Sequence, residues 1–400
     1  MAHRHLKLDS PWLLAVLATL VALGPLSVDM YLPAMPAMQA AFDSSISQMH
    51  LTLSAYLAGF AIFHLICGPL SDRFGRKPIL MYGTIIFVVA CVGCSQSATI
   101  SELLSFRFLQ GVGACVGPTL ARAMVRDIFG PSRAARALSL IAMLMALAPA
   151  VAPTLGGVML LFLPWSSIFL FLAVYGAVTI VLVQRFIPES LPKRQSMHPV
   201  AIARNYAELI RDPHYLLVTL ASALMYAALL AYLSSSAFVY INMLGVPVEY
   251  FGLVFLAGVA GYAAGSAVSA RLSSHYAPEK LSLLGTQLGL AATVSMWLGS
   301  ELYPHSVAVY MLPMALFSTA LGLVLPNSMA IALRPFPHIA GTASALLGFI
   351  QMSISALSSA LIGLLLTTTP RPMVLTMLVI SILALGLNLI MYSRHRRPEH

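Results

Sequence analysis

The sequence predicts an all-α membrane protein with 12 transmembrane helices in two six-helix bundles. Three observations carry that prediction. The composition is too apolar for water, the chain holds twelve apolar runs of membrane length, and its basic residues crowd into alternate loops.

Of 400 residues, 59% are hydrophobic and only 9% are charged, where a soluble domain carries roughly 25% charged residues. So few charges cannot cover a globule of this size in water, and the surplus apolar surface needs lipid as its solvent. A membrane helix takes about 20 apolar residues, so twelve would use about 240. A net charge of +9 would suit nucleic acid if it were gathered into a patch. Here the basic residues sit in short loops between apolar spans, the pattern of membrane orientation. All four cysteines, Cys67, Cys91, Cys94 and Cys115, fall inside apolar spans. Cys91 and Cys94 form a CxxC without a second ligand pair nearby, so they read as packing residues rather than a metal or redox site. Residues 1–10 are polar and basic, and the apolar run from Pro11 shows no small-residue cleavage site. It reads as a retained first span.

The apolar runs fall at about 11–35, 47–70, 78–97, 101–125, 134–162 and 166–186. They resume at about 214–243, 249–271, 281–299, 303–333, 339–368 and 372–392. If the N-terminus is cytoplasmic, the cytoplasmic segments hold Arg4, Lys7, Arg73, Arg76, Lys77, Arg122, Arg126, Arg133, Arg136 and Arg185. They also hold Lys193, Arg194, Arg204, Arg211, Arg271, Lys280, Arg334, Arg394, Arg396 and Arg397. The opposite side keeps only Arg371, Arg107 lies within a span, and the external loops carry Asp43, Glu102, Glu249 and Glu301. This bias predicts that both termini are cytoplasmic.

The longest polar interval suggests an N-terminal bundle at 1–186, a cytoplasmic linker at 187–213 and a C-terminal bundle at 214–400. The halves echo each other weakly: Pro118 to Arg126 matches Pro326 to Arg334 in its Pro-to-Arg spacing. Such repeats suggest two bundles related by an axis along the membrane normal, with the substrate path between them.

Asp29 is the one acid placed firmly within a span. A charged side chain at mid-membrane costs about 2.5–3.5 kcal/mol by insertion scales, so a chain that tolerates one usually uses it; the plainer alternative is a helix-end residue meeting water. Arg107 enters the fourth span from the outside. Counted inward at about 1.5 Å per residue, the two charges lie at similar depth, and an interaction between them, direct or through water, is expected. Burial favours the neutral carboxylic acid and a nearby guanidinium favours the carboxylate, the balance a proton carrier needs. Arg107 supplies a permanent positive charge. The second half shows no evident membrane-embedded charge, which puts proton handling in the first six helices. The string Gly68-Pro69-Leu70-Ser71-Asp72-Arg73-Phe74-Gly75-Arg76-Lys77-Pro78 closes the second span and opens the third. Gly75 permits a tight turn, Pro78 suits a first helical turn, and Asp72 can join Arg73 and Arg76 in a charge cluster.

That string resembles the G-x-L-x-D-R-x-G-R-K signature of the major facilitator superfamily. The resemblance covers nearly the whole chain. Arg107, Gln110 and Gly111 resemble its R-x-x-Q-G pattern. The stretch from Ala148 to Gly157 looks like the antiporter signature G-x-x-x-G-P-x-x-G-G, with Pro149, Pro153, Gly156 and Gly157 as its marks and alanines at 148 and 152 in place of glycine. Asp29-Met30-Tyr31-Leu32-Pro33-Ala34-Met35-Pro36 and the stretch Pro335 to Ala345 are similar to the Bcr/CflA drug:proton antiporters, a twelve-helix branch. The resemblance implies a proton-driven exporter of small amphipathic drugs or toxic compounds in the bacterial inner membrane, working by alternating access. It further implies proton coupling at Asp29 with Arg107 in support, and a cytoplasmic latch at Gly68, Asp72, Arg73, Gly75 and Arg76. His64 stands where that family would have glutamine; it could titrate or simply replace one interhelical hydrogen bonder with another.

Tyr31, Tyr56, Tyr232, Asn327 and Gln351 are the expected substrate-binding residues, the two amides because a carboxamide inside a helix bundle needs a partner. Tyr226, Phe238, Tyr240, Phe255 and Tyr262 are further candidates, each as readily explained by packing. No cofactor or metal is expected. The expected partners are a small-molecule substrate, protons and the lipid bilayer, not nucleic acid, and the chain is expected to act as a monomer. An exported metabolite such as a nucleoside, sugar or siderophore is the alternative cargo. No enzymatic set of nucleophile, paired carboxylates or metal ligands falls at one membrane level.

Overall fold

Apolar runs in a low-dielectric setting must satisfy their backbone groups internally, and the computed structural model, which describes residues 11–191 and 199–395, is helical throughout its regular elements. The basic residues at positions 4, 7, 193, 194, 396 and 397 lie outside the described residues.

The helices are α1 (Pro11–Asp29), α2 (Met35–Ala41), α3 (Ile46–Phe74), α4 (Arg76–Gln96), α5 (Ile100–Ala114), α6 (Val116–Phe162) and α7 (Ser166–Phe186). They continue as α8 (Pro199–Arg211), α9 (Pro213–Ala237), α10 (Phe251–Leu272), α11 (Pro278–Leu302), α12 (Val307–Leu333), α13 (Ala340–Leu365) and α14 (Arg371–His395). Local chemistry sets several starts. Thr99 caps α5 by accepting from the Glu102 N–H at 3.3 Å, and the Glu102 carboxylate reaches back to the Ala98 N–H at 2.9 Å. Asp212 caps α9 through the Tyr215 N–H at 2.6 Å, with Pro213 in the first turn.

Among the described residues, ten helical stretches are long and apolar enough to cross a membrane, and Ala148–Phe162 is a shorter apolar one. The fourth and fifth predicted spans run together as α5 and the 47-residue α6. A straight helix from Gly117 to Gly156 would cover about 58 Å. Yet a Cβ at Gly117 would meet the Leu20 carbonyl and one at Gly156 the Met30 carbonyl, positions about 15 Å apart along the first span. The chain therefore reverses between those glycines, and α5–α6 supply two passages, giving the twelve-helix all-α membrane fold.

The chain divides into two compact units, Met1–Ser44 with Ala55–Pro199, and Ser45–Ser54 with Val200–His400. In the first, α1 packs along α6, and α4 along α5 and α7. In the second, α12 packs on α10 and α11, α9 on α13 and α14, and α11 on α14. The polar interval expected as a plain linker contains a helix, α8, with Leu209 buried, Ile202 and Tyr206 half-buried, and Arg204, Glu208 and Arg211 exposed. Its average polarity conceals a 3.6-residue apolar stripe.

Candidate functional site

The first predicted span is broken where its acid lies. α1 ends at Asp29, a short 3-10 turn covers Leu32–Ala34, and α2 resumes at Met35. Pro33 and Pro36 lack the N–H groups that would continue the α1 ladder. Asp29 is 5% exposed, so its carboxyl sits at a buried helix end rather than in open water. Gly156 of the antiporter-like string lies directly behind this turn, because a Cβ there would stand 2.5 Å from the Met30 carbonyl and 3.1 Å from Pro33. Pro153 and Gly157 beside it are buried, as is Ala152, while Pro149 is half-buried. Small residues thus let α6 reach the turn that carries Asp29.

Arg107 projects from α5 toward the same turn and is fully buried. Its Nη1 donates to the Ser27 carbonyl at 3.3 Å and to Gln110 Oε1 at 2.6 Å. The guanidinium carbon lies 4.2 Å from the Tyr31 ring centre, 4.6 Å from Tyr56 and 6.0 Å from Phe169, a cation–π cage. Tyr56 donates to the Gly24 carbonyl at 3.2 Å, and Gln110 Nε2 to Cys91 Sγ at 3.1 Å. Arg107 Nε and Nη2 have no hydrogen-bond partner among the described residues. The direct ion pair allowed by the sequence is absent: Asp29 and Arg107 share one turn of α1, but the cation is held by a carbonyl, an amide and aromatic faces. Depth could be counted from the sequence, whereas the azimuth of each side chain depends on how α1 and α5 rotate against each other.

Close crossing of α3 and α5 builds this cage. A Cβ at Gly111 would fall 2.0 Å from the Tyr56 carbonyl, and one at Gly59 2.1 Å from the Phe108 carbonyl. His64, one turn from Phe60, shares its Nδ1 with the Thr119 hydroxyl at 3.2 Å and the Cys115 thiol at 3.5 Å. It therefore links α3 to α6 as an interhelical hydrogen bonder.

The charged turn between α3 and α4 is assembled from more residues than its own. Arg76 pairs with Asp72 at 2.7 Å and with Asp127 at 3.2 Å, and donates to the Ser71 hydroxyl at 2.6 Å. Glu189 accepts from the first two N–H groups of α4, Arg76 at 3.0 Å and Lys77 at 3.2 Å. It thereby caps the positive end of that helix. Lys77 Nζ in turn donates to the Gln184 and Ile187 carbonyls at 3.0 and 2.7 Å, at the negative end of α7. Gly75 has φ 108°, and a Cβ there would stand 2.5 Å from Glu189 Oε2. Both the backbone angle and the approach of Glu189 require glycine. Gly68 has open space about it, and Arg73 lies over the adjacent Phe74 ring at 5.2 Å rather than in the cluster. Asp127 and Glu189 were missed in the sequence because nothing local shows that distant acids converge on Arg76.

In the second unit the remaining candidates have separate partners. The Tyr232 and Tyr240 hydroxyls meet at 2.7 Å, Asn327 donates to Ser269 at 2.7 Å and to the Leu323 carbonyl at 2.7 Å, and Gln351 donates to Ser222 at 3.4 Å. Phe238 and Tyr240 are buried, whereas Tyr262 is exposed. Glu279, in the first turn of α11 and just outside the predicted span at 281–299, is 1% exposed and bridges to the exposed Arg334 at 2.5 Å. The pair joins the start of α11 to the end of α12, just as Arg76–Asp127 joins the start of α4 to the fourth passage, with the signs reversed.

Residues 17–359 match the Major Facilitator Superfamily. The chain belongs to that superfamily. As a major facilitator it is 32% identical over 375 residues to an uncharacterized MFS-type transporter, YdgK, of Bacillus subtilis, covering 92% of each chain. It is 30% identical to a bicyclomycin resistance protein homolog of Haemophilus influenzae, over 92% of this chain and 94% of that one. A multidrug resistance protein, MdtL, of Escherichia coli is 30% identical over 84% and 85% of the two chains. Among solved structures, a bacterial homolog of the human lysosomal transporter Spinster aligns with TM-score 0.77 at 18% identity, covering 96% of this chain and 98% of that one. A D-xylose-proton symporter aligns with TM-score 0.74 at 14% identity, over 95% and 96%. These likenesses establish the fold of a multi-pass membrane transporter.

Proposed function

We propose that this chain is a proton-coupled antiporter that exports small amphipathic drugs or toxic compounds across the bacterial inner membrane by alternating access, with both termini cytoplasmic. The observation that carries the reading is the buried Asp29 at the break of α1, with the Arg107 cation fixed against the same turn and an antiporter-like glycine packed behind it. The resistance names borne by two relatives support the cargo class. The C-terminal end of a helix carries negative partial charge, so the end of α1 and the Arg107 cation act on the Asp29 charge in opposite senses. Small rearrangements of the turn then change whether a proton is held. Tyr31 and Tyr56 keep the cation in place, and Tyr232, Asn327 and Gln351 bind the cargo. The charged turn of Asp72, Gly75 and Arg76, with Gly68 and Arg73 flanking it, latches one end of the transport path.

Protonation of Asp29 and cargo binding exclude each other, so an inward proton releases one cargo molecule outward. One charge crossing 100 mV supplies about 2.3 kcal/mol, which sustains roughly a fifty-fold gradient. The test uses everted vesicles with an acidified lumen and a panel of amphipathic dyes and antibiotics, ethidium among them. Addition of a cargo should release protons from the lumen of vesicles holding the wild-type chain, and not from those holding Asp29→Asn. Coupled transport that survives Asp29→Asn unchanged would overturn the role of Asp29.

A further inference from the structure

One fully buried ionisable side chain has no place in the site described above. His50 lies in the first turns of α3, within the stretch Ser45–Ser54 that groups with the second unit. Both of its ring nitrogens lack a hydrogen-bond partner among the described residues. The ring stacks on Phe238 with centroids 5.7 Å apart and planes 22° from parallel. Phe238 opens a π-helical segment, Phe238–Met243, that continues α9, and such segments gather at functional positions. On the other flank the Ser359 hydroxyl donates to the His50 carbonyl at 3.4 Å. α13 approaches so closely that a Cβ at Gly363 would fall 2.4 Å from the His50 Cβ.

For packing alone, a phenylalanine or leucine would fill this nest without two idle polar atoms. Buried polar groups are nearly always satisfied, and an exception calls for a reason. The surroundings are equally telling about charge. α13 carries no Asp, Glu, His, Lys, Arg or Tyr anywhere along its length. The π-helical segment carries one ionisable residue, Tyr240, whose hydroxyl is already engaged with Tyr232. On α3 itself, residues 46–55 hold no other ionisable side chain. An imidazolium in this nest would find no counter-ion on these three elements, and the Ser359 backbone is the acceptor beside it.

We propose that His50 is a second proton-binding residue of the transport cycle, neutral while the start of α3 lies against α13 and the π-helical end of α9, and proton-bound when that contact opens. A proton and the closed contact exclude one another, so the proton shifts the balance toward the open form by its preference for that form. The role within the cycle rests on the proton-coupled reading above; the proton site itself does not.

The test is amide hydrogen exchange over residues 46–58 in the purified full chain, without cargo or gradient, corrected for the intrinsic pH dependence of exchange. Wild-type protection is expected to fall at least tenfold between about pH 8 and about pH 5, the range in which histidine changes charge. His50→Phe, which keeps an aromatic ring against Phe238, should hold its protection across that range, and His50→Gln should do the same. The proposal is overturned if wild-type protection is flat, or if His50→Phe loses protection as the wild type does. Should His50→Gln fail to fold, His50→Phe carries the test alone. Because no transport is measured, the result is separable from the Asp29 assay. A pH response at His50 beside intact coupling in Asp29→Asn would sink the Asp29 role and keep this site.

Discussion

Substituting Gly75→Ala tests whether the α3–α4 turn is held together from a distance. The residue has φ 108°, a conformation that costs a non-glycine residue about 1–3 kcal/mol. The new methyl would also stand 2.5 Å from Glu189 Oε2, so the carboxylate must leave the two N–H groups at the start of α4. Loss of such a cap costs about 0.5–2 kcal/mol, and exposure of Glu189 puts its share toward the lower end. The single substitution should therefore cost about 2–4 kcal/mol, and Glu189→Ala alone about 1 kcal/mol. Once Glu189 is truncated, alanine at 75 no longer meets the carboxylate and keeps only the backbone strain and a 3.2 Å approach to Pro78 Cδ. The double variant should then fall short of the sum by about 1 kcal/mol, a coupling that contacting residues show and distant ones do not. Thermal unfolding of the purified chain, followed by intrinsic fluorescence at matched detergent concentration, measures all four corners of the cycle. Effects that add within about 0.3 kcal/mol would refute the claim that Glu189 and Gly75 need each other.

Two further substitutions probe the cage and the amides. In Gly111→Val a side-chain carbon would sit 2.0 Å from the Tyr56 carbonyl, where only backbone can yield; about 3 kcal/mol or more should be lost, and the fraction eluting monodisperse after heating should collapse. A Gly111→Val chain as stable as wild type would remove the close α3–α5 crossing from the account. Asn327→Leu forfeits the bond to Ser269, and such bonds average about 0.6 kcal/mol in membrane proteins. A small shift in unfolding temperature with a large loss of transport would mark Asn327 as cargo-facing, whereas loss of both together would make it a packing residue.

Much of the architecture was legible along the chain. The twelve passages follow from apolar run length, since each helix must satisfy its own backbone in lipid. The capping of α5 by Thr99 and of α9 by Asp212 follows from residue order over three or four positions. The break at Asp29 could be anticipated from Pro33 and Pro36. Contacts between remote residues were not legible. Asp127 and Glu189 come to Arg76 from 51 and 113 residues away, and Glu279 is buried because α12 brings Arg334 beside it.

By itself, then, the sequence determined which segments are long and apolar enough to enter the membrane, and that one acid and one arginine lie within those of the first half. Those are properties of hydrophobicity, of backbone hydrogen bonding and of a fixed rise per residue, all local. Only the tertiary structure decided that Arg107 is caged by Tyr31 and Tyr56 instead of paired with Asp29, that Gly156 backs the Asp29 turn, and that His50 is sealed against Phe238 and Gly363. Each of these depends on helix rotation and on how closely two helices cross. Packing between elements sets both, and no single stretch of chain encodes them.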